Sequence, residues 1–303
     1  MFTALLWTFL TALFFATISA TVSFLARDKI SKFQFFAFSN LAASAIAWIV
    51  LPSWGMAAQV NWRMLMLFTM VTGIVNAASQ AMLVLALKLG HNGLSVAIRN
   101  MSAVMSMFFA LIFLNEKVSL VNISGVAFII ISLAVIAIFG RKSSVSPDLK
   151  MWVPVIIVAL LLSGAYQILL TGSLLLPAAT RKAGVLTPAL FLGCGISNLL
   201  ISGGEMIFCK TGFSSGIFHR RTLVITGFWT AAAILQYFAL FKALEAMKQC
   251  GMAALTWPLI IGGNTTLFAV FCRFRWKEKY PLTTVIGMIG CVLGLILTIW
   301  GRK

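Results

Sequence analysis

Ten stretches of about twenty apolar residues, separated by short polar connectors, set the terms for this chain. They run over residues 2–26, 33–51, 64–87, 94–114, 119–140, 151–176, 184–208, 222–247, 251–272 and 281–300. An α-helix of about twenty residues spans a hydrocarbon layer of about 30 Å. Lipid offers no partner for an unpaired backbone N–H or C=O, so only helices and closed barrels cross it. A barrel would show alternating segments of about ten residues; these runs are longer and continuous. The expected fold is an all-α polytopic membrane protein with ten transmembrane helices.

Composition excludes a water-soluble alternative. The chain is 61% hydrophobic and 10% charged, against about 25% charged in soluble domains. The first run has no basic residue ahead of it and outlasts a signal peptide's apolar core, so a retained span is expected. Lys and Arg number 23 against six Asp and Glu, a net charge of +17. They sit in short connectors and form no basic domain, which points to membrane topology and away from nucleic acid. None of the five cysteines forms a C-x-x-C pair, and His91 and His219 stand far apart. No Ser-His-Asp, H-E-x-x-H or phosphate-loop pattern occurs, so no catalytic centre, metal or cofactor is expected.

The chain contains one pattern twice. A segment ends in Ala86-Leu87-Lys88, a second runs from Leu94 to Leu114, the turn Asn115-Glu116-Lys117 follows, and a third runs from Val118 to Phe139. The order recurs as Ala243-Leu244-Glu245, Gly251 to Cys272, Lys277-Glu278-Lys279 and Leu282 to Trp300. Glu116 precedes Gly125 by nine residues and Glu278 precedes Gly287 by nine. Gly140-Arg141-Lys142 closes one copy and Gly301-Arg302-Lys303 the other. The Ser- and Pro-bearing stretch around Ser146-Pro147 divides the copies. The expected organisation is a first five-helix repeat over 1–142, a linker over 143–150 and a second repeat over 151–303. Five is odd, so the second copy enters the membrane from the other side and the repeats are inverted. Fourteen Lys and Arg follow odd-numbered runs and eight fall on the other side, Arg99 set aside as intramembrane. The excess places both termini outside the cytoplasm.

The doubled pattern resembles the drug/metabolite transporter superfamily in its ten-helix, EamA-like form. That family's turn reads Leu-Gly-Glu before a helix with Gly. Here Leu114-Asn115-Glu116 precedes Gly125, and Lys277-Glu278 precedes Gly287. Its proline early in the fourth and ninth helices is matched by Pro258 and replaced by Asn100 in the first half. The resemblance implies a multi-pass inner-membrane carrier of small metabolites, driven by a proton or sodium gradient. Ala78-Ser79-Gln80, Ala86-Leu87-Lys88-Leu89-Gly90 and Ser95-Val96-Ala97 look like its glucose/ribose-uptake branch, which would make the substrate a sugar or polyol.

Ionisable and polar side chains are costly in lipid and mark candidate sites. Arg99 and Asn100 lie inside the fourth run, where a guanidinium could hold carboxylate, phosphate or hydroxyl groups, or reach the headgroups. Gln80 and Gln236 occupy corresponding places in the third and eighth runs. Asn76 lies one turn before Gln80, with Tyr237 and Trp229 near Gln236. Trp257 stands beside Pro258, and Asn264 lies further along; Tyr166 and Gln167 form a weaker pair. For each, helix packing or inter-helix hydrogen bonding is the plain alternative. Glu205, the carboxylate best placed to lie inside a helix but near the end of the seventh run, is the proton-coupling candidate, a boundary ion pair with Lys210 being its alternative. Glu116 and Glu278 read as caps or anchors of their turns.

The reading is a secondary transporter, not an enzyme, working by alternating access as monomer or homodimer in the bilayer. Its rival is a membrane-embedded transferase for lipid-linked substrates, which would need acidic metal-binding motifs that six acidic residues do not supply.

Overall fold

The computed structural model describes residues 1–25, 31–51, 58–89, 95, 98–116, 119–139, 149–208, 219–276 and 282–300. Among them lie ten helices: α1 (Phe2–Leu25), α2 (Lys32–Val50), α3 (Trp62–Leu89), α4 (Ala103–Phe113), α5 (Leu120–Phe139), α6 (Leu149–Gly172), α7 (Ala183–Phe208), α8 (Arg220–Gln249), α9 (Thr256–Trp276) and α10 (Leu282–Trp300). Nine match the apolar runs to within a few residues, and α6 takes in the last two residues of the expected linker. The fourth differs. Ile98 to Asn100 are helical, Met101 and Ser102 form a turn, and α4 proper begins at Ala103. There Met101, Ser102, Val104 and Met105 each donate to the carbonyl three residues back, at 3.0–3.1 Å. These bonds tighten the span into 3₁₀ geometry at the residue pair after Asn100. The turn with Glu278, linker residues 143–148, Asp28, Lys210 and the two closing Gly-Arg-Lys triplets lie outside the described residues.

The distribution of side chains identifies the solvent. Leu120 is 83% exposed and Phe228 69%, while Gln34, Asn122 and Asn198 are each 5% exposed or less. That is the reverse of a protein in water. Among the described residues, six helices are long and apolar enough to cross a membrane, and shorter apolar helices cover 98–113, 120–135 and 285–300. The chain is an all-α, multi-pass membrane protein.

The residues fall into two compact units. The first comprises 1–13, 78–171 and 243–303, the second 14–77 and 172–242. Each draws on both halves of the sequence. In the first, α5 and α10 pack along each other antiparallel: Gly125 lies against Thr298 and Gly294, and Ser132 against Gly290. A Cβ at any of these glycines would overlap its neighbour, so small residues set the approach. Asn122 Nδ2 donates to the Thr298 carbonyl at 2.6 Å and pins one end. The fourth span and α6 run parallel, from Ser95 beside Trp152 through Ser102 beside Ser163 to Met105 of α4 on Gly164. Helices α1 and α9 do the same. Ala4 shares an apolar cluster with Leu255 and Leu259, and Gly263 meets Ala12.

In the second unit α2 and α7 are antiparallel, with Leu41 on Gly195 and Ser44 Oγ donating to the Pro188 carbonyl at 2.9 Å. Helix α3 crosses α7 with Gly73 directly on Gly193. Helix α8 crosses α2, where Trp229 packs on Phe35 and Phe36.

Two turns of the first unit show why their residues suit them. Asn115 has φ 52°, the left-handed conformation that Asn and Gly adopt most easily. The residue standing where the related turn has glycine is thus the next best choice. Gly251 has φ 66°, and Met252 N–H reaches back to the Met247 carbonyl at 2.8 Å. This is a Schellman closure of α8. Glu116 then reaches from the α4–α5 turn to the start of α9, accepting from Ala253 N–H at 2.8 Å and Ala254 N–H at 2.7 Å. It acts as the anchor the sequence implied. Burial pushes its carboxyl above the ordinary range, while the Ala254 and Ala253 amides and the Lys248 charge pull it down. Glu116→Ala leaves both amides without their acceptor and should cost about 1–3 kcal/mol. Melting in detergent should rank wild type above Glu116→Gln, which keeps one acceptor oxygen, and Glu116→Gln above Glu116→Ala.

Candidate functional site

In the first unit, α6 presents one polar stripe. Ser163, Gln167 and Thr171 recur every four residues and so share a helix face. Gln167 Nε2 donates to Ser102 Oγ at 2.8 Å, and Ser102 Oγ donates to Ser163 Oγ at 3.2 Å. Thr171 Oγ1 donates to the Gln167 carbonyl at 2.9 Å and accepts from Trp257 Nε1 at 3.0 Å. The result is a buried polar chain, Ser163–Ser102–Gln167–Thr171–Trp257, joining α6 to the tightened turn of the fourth span and to the start of α9. All five side chains are at least nine-tenths buried.

The expected residues of this unit stand in different relations to that chain. Trp257 belongs to it. Arg99 and Asn100, both half-buried, immediately precede the turn at Met101-Ser102, and the Arg99 carbonyl accepts from Ser102 N–H at 3.1 Å. Asn264 is buried two turns beyond Trp257. Gln80 is half-buried in α3, next to the buried Ser79. Among the described residues, Gln167 Oε1, Asn264 Oδ1, Ser79 Oγ and Thr256 Oγ1 are buried without a hydrogen-bond partner. Such atoms are uncommon and costly, which makes this region one that polar ligand groups or water would stabilise.

The remaining expected residues lie in the second unit. Asn76 Nδ2 contacts Cys194 Sγ at 3.5 Å, beside the Gly73–Gly193 crossing. One turn back on α7, Phe191 meets Tyr237 edge-on at 5.3 Å between ring centroids. Phe191 and Trp229 share a cluster with Phe35 and Ala233. Among the described residues, Trp229 Nε1 is buried without a hydrogen-bond partner, and Gln236 is buried one residue from Tyr237. Asn76, Tyr237 and Trp229 are thus gathered around Phe191 and Cys194 of α7. Gln80 and Gln236, expected at corresponding places of the third and eighth runs, belong to different units. Glu205, in the last turn of α7, accepts from Ser31 Oγ at 3.1 Å, and Ser31 in turn caps α2.

Sequence reading named Gln167 only as a minor candidate and passed over Ser102, Ser163 and Thr171. Hydroxyls commonly bond their own helix in membranes, so each is individually silent. The i, i+4, i+8 spacing of Ser163, Gln167 and Thr171 was the available signal. Inter-helix hydrogen bonds in membranes average about 0.6 kcal/mol and reach about 1.7. Gln167→Leu and Thr171→Val should therefore each lower stability by no more than about 1–2 kcal/mol, measured by thermal unfolding in detergent. Collapse of the fold would show a structural role.

Comparison with known proteins places this architecture. Residues 2–138 match the EamA-like transporter family, as expected of a member of the drug/metabolite transporter superfamily. Members of that family are generally transporters rather than enzymes. No curated protein matches the chain. A protein solved by crystallography aligns over 97% of this chain and 95% of its own, with a TM-score of 0.74 and 14% sequence identity. That likeness concerns the fold.

Proposed function

We propose that this chain, a member of the EamA-like transporters by its residues 2–138, is a secondary transporter that moves a small polar or amphipathic metabolite across the inner membrane by alternating access, coupled to a proton or sodium gradient. Ten spans act as two inverted repeats, 1–142 and 151–303 about the linker 143–150, working as monomer or homodimer. The pattern of helix contacts supports the duplication. Under the sequence repeat α1 to α5 correspond to α6 to α10, so α5 on α10 and α2 on α7 pair equivalents. Helix α4 on α6 has its counterpart in α9 on α1, and α3 on α7 in α8 on α2.

One observation carries the reading most. The fourth span departs from regular helix at Met101-Ser102, and there it meets the buried polar chain of α6 and α9. Irregular backbone at membrane depth occurs where it is buried in protein or lines a cavity, and broken helices mark transporter binding sites. Arg99, Asn100, Gln80, Trp257 and Asn264 supply polar and aromatic groups on this side. Asn76, Gln236, Tyr237 and Trp229 are further proposed substrate contacts. Glu205 is the candidate for proton coupling. Because Arg99 is equivalent to Trp257 in the repeat, the site has a cationic group in one half and an aromatic one in the other, which suits an amphipathic solute.

The test is binding followed by transport. Purified protein is screened by thermal shift against sugars, amino acids, nucleosides and cationic drugs, since a ligand of the folded state raises its melting temperature. Uptake of the stabilising solute is then measured in proteoliposomes. Arg99→Ala should melt within a few degrees of wild type yet lose both the ligand shift and at least about nine-tenths of uptake. Unchanged uptake would remove Arg99 from the site.

A further inference from the structure

The starts of α3 and α8, equivalent in the repeat, each carry an open groove in the second unit. The groove at α8 has a volume of about 660 Å³ and is lined by His219, Arg220, Arg221, Val224 and Ile225. The groove at α3 has a volume of about 520 Å³ and is lined by Trp62, Arg63, Met66, Leu67 and Met70. The same helix face forms both, and both volumes lie in the range of about 300–1,000 Å³ typical of small-molecule sites.

The two grooves lie at opposite ends of α7. Asn61 N–H donates to Thr180 Oγ1 at 3.2 Å, which sets the start of α3 beside the start of α7. Trp229 packs on Phe35 and Phe36 near the start of α2, and Ser31 there bonds Glu205 near the end of α7. Helix α7 has 26 residues and is about 39 Å long at 1.5 Å per residue. A bilayer with its headgroups is about 40–45 Å deep. Each groove therefore sits at headgroup level.

Their chemistry differs. Among the described residues, the α3 groove has one cation and an indole, an ordinary interfacial pairing. Among the described residues, the α8 groove has two arginines and a histidine, all three exposed, above apolar walls. Just below, Leu223 is 50% exposed, Val224 53% and Phe228 69%, a face suited to an acyl chain.

We propose that the α8 groove is a site for an anionic phospholipid, its phosphate held by Arg220 and Arg221 with His219 beside them, and an acyl chain lying along Val224 and Phe228. A soluble phosphate would use only the cationic rim, and a zwitterionic lipid brings its own ammonium against it. An anionic lipid uses both parts of the groove. Guanidinium groups hold phosphate oxygens by paired hydrogen bonds, and basic residues near a membrane surface favour anionic lipid additively.

The experiment uses the full chain, purified in a non-ionic detergent. Bound lipid is counted by native mass spectrometry with phosphatidylglycerol or phosphatidylcholine of identical acyl chains. Thermal shift is measured with the same lipids, with glycerol 3-phosphate and with inorganic phosphate. Phosphatidylglycerol should bind about tenfold or more tightly than phosphatidylcholine. Arg220→Gln with Arg221→Gln should abolish that preference, and Arg63→Gln should keep it. These side chains are exposed, so the variants should fold, and an unchanged melting temperature without lipid checks this. Equal binding of the two lipids would overturn the proposal, as would a preference that survives the double substitution. Loss of equal size in Arg63→Gln would show diffuse attraction only. An equal shift with glycerol 3-phosphate or inorganic phosphate would make the ligand a soluble anion and reject the lipid.

Discussion

In hydrocarbon, a polar group that finds no partner within the protein finds none at all. That constraint explains most of this molecule. It makes every span a helix, it turns Leu120 and Phe228 outward, and it brings Gln167, Ser102 and Thr171 into one hydrogen-bonded chain. It also gives meaning to the point in the fourth span where regular helix fails. At Met101-Ser102 the backbone exchanges four-residue bonds for three-residue ones, and the protein surrounds that turn with polar side chains.

With no hydrophobic effect to hold helices together in lipid, close approach does the work. Gly73 on Gly193, and Gly125 against Gly294, bring backbones nearer than any side chain would permit. Several polar fixings lie at helix ends, beside mid-helix ones such as Ser44 on the Pro188 carbonyl. Glu116 ties a turn to the start of α9, Asn122 ties α5 to the last turn of α10, and Ser31 links α2 to Glu205. Helix ends thus carry much of the registration, and the polar chain of Ser102, Gln167 and Thr171 is left as the candidate for function. Arg99 and Trp257 stand near the boundary between these roles, at the entrances of equivalent spans.

The helices were legible in the sequence because lipid leaves one secondary structure to choose. Helix limits fell within a few residues because polar connectors are sharply distinguished from apolar runs. Glu116 was legible as an anchor because its turn recurs. The interruption after Asn100 was not legible, since Met101 and Ser102 fit an apolar helix as well as a turn. The stripe on α6 was half legible: glutamine stands out in a membrane helix, and serine and threonine do not. Nor did sequence show that Gln80 and Gln236 would belong to different compact units.

The central claim is that the two five-span halves run in opposite directions. It is tested most directly by locating the linker and the C-terminus relative to the membrane. Paired reporters, one active only in the cytoplasm and one only outside it, are fused after Ser144 and after Lys303 in separate proteins. The account requires the cytoplasmic signal after Ser144 and the external signal after Lys303. The same signal at both positions would mean an even number of crossings in the second half, and would contradict the inverted repeat.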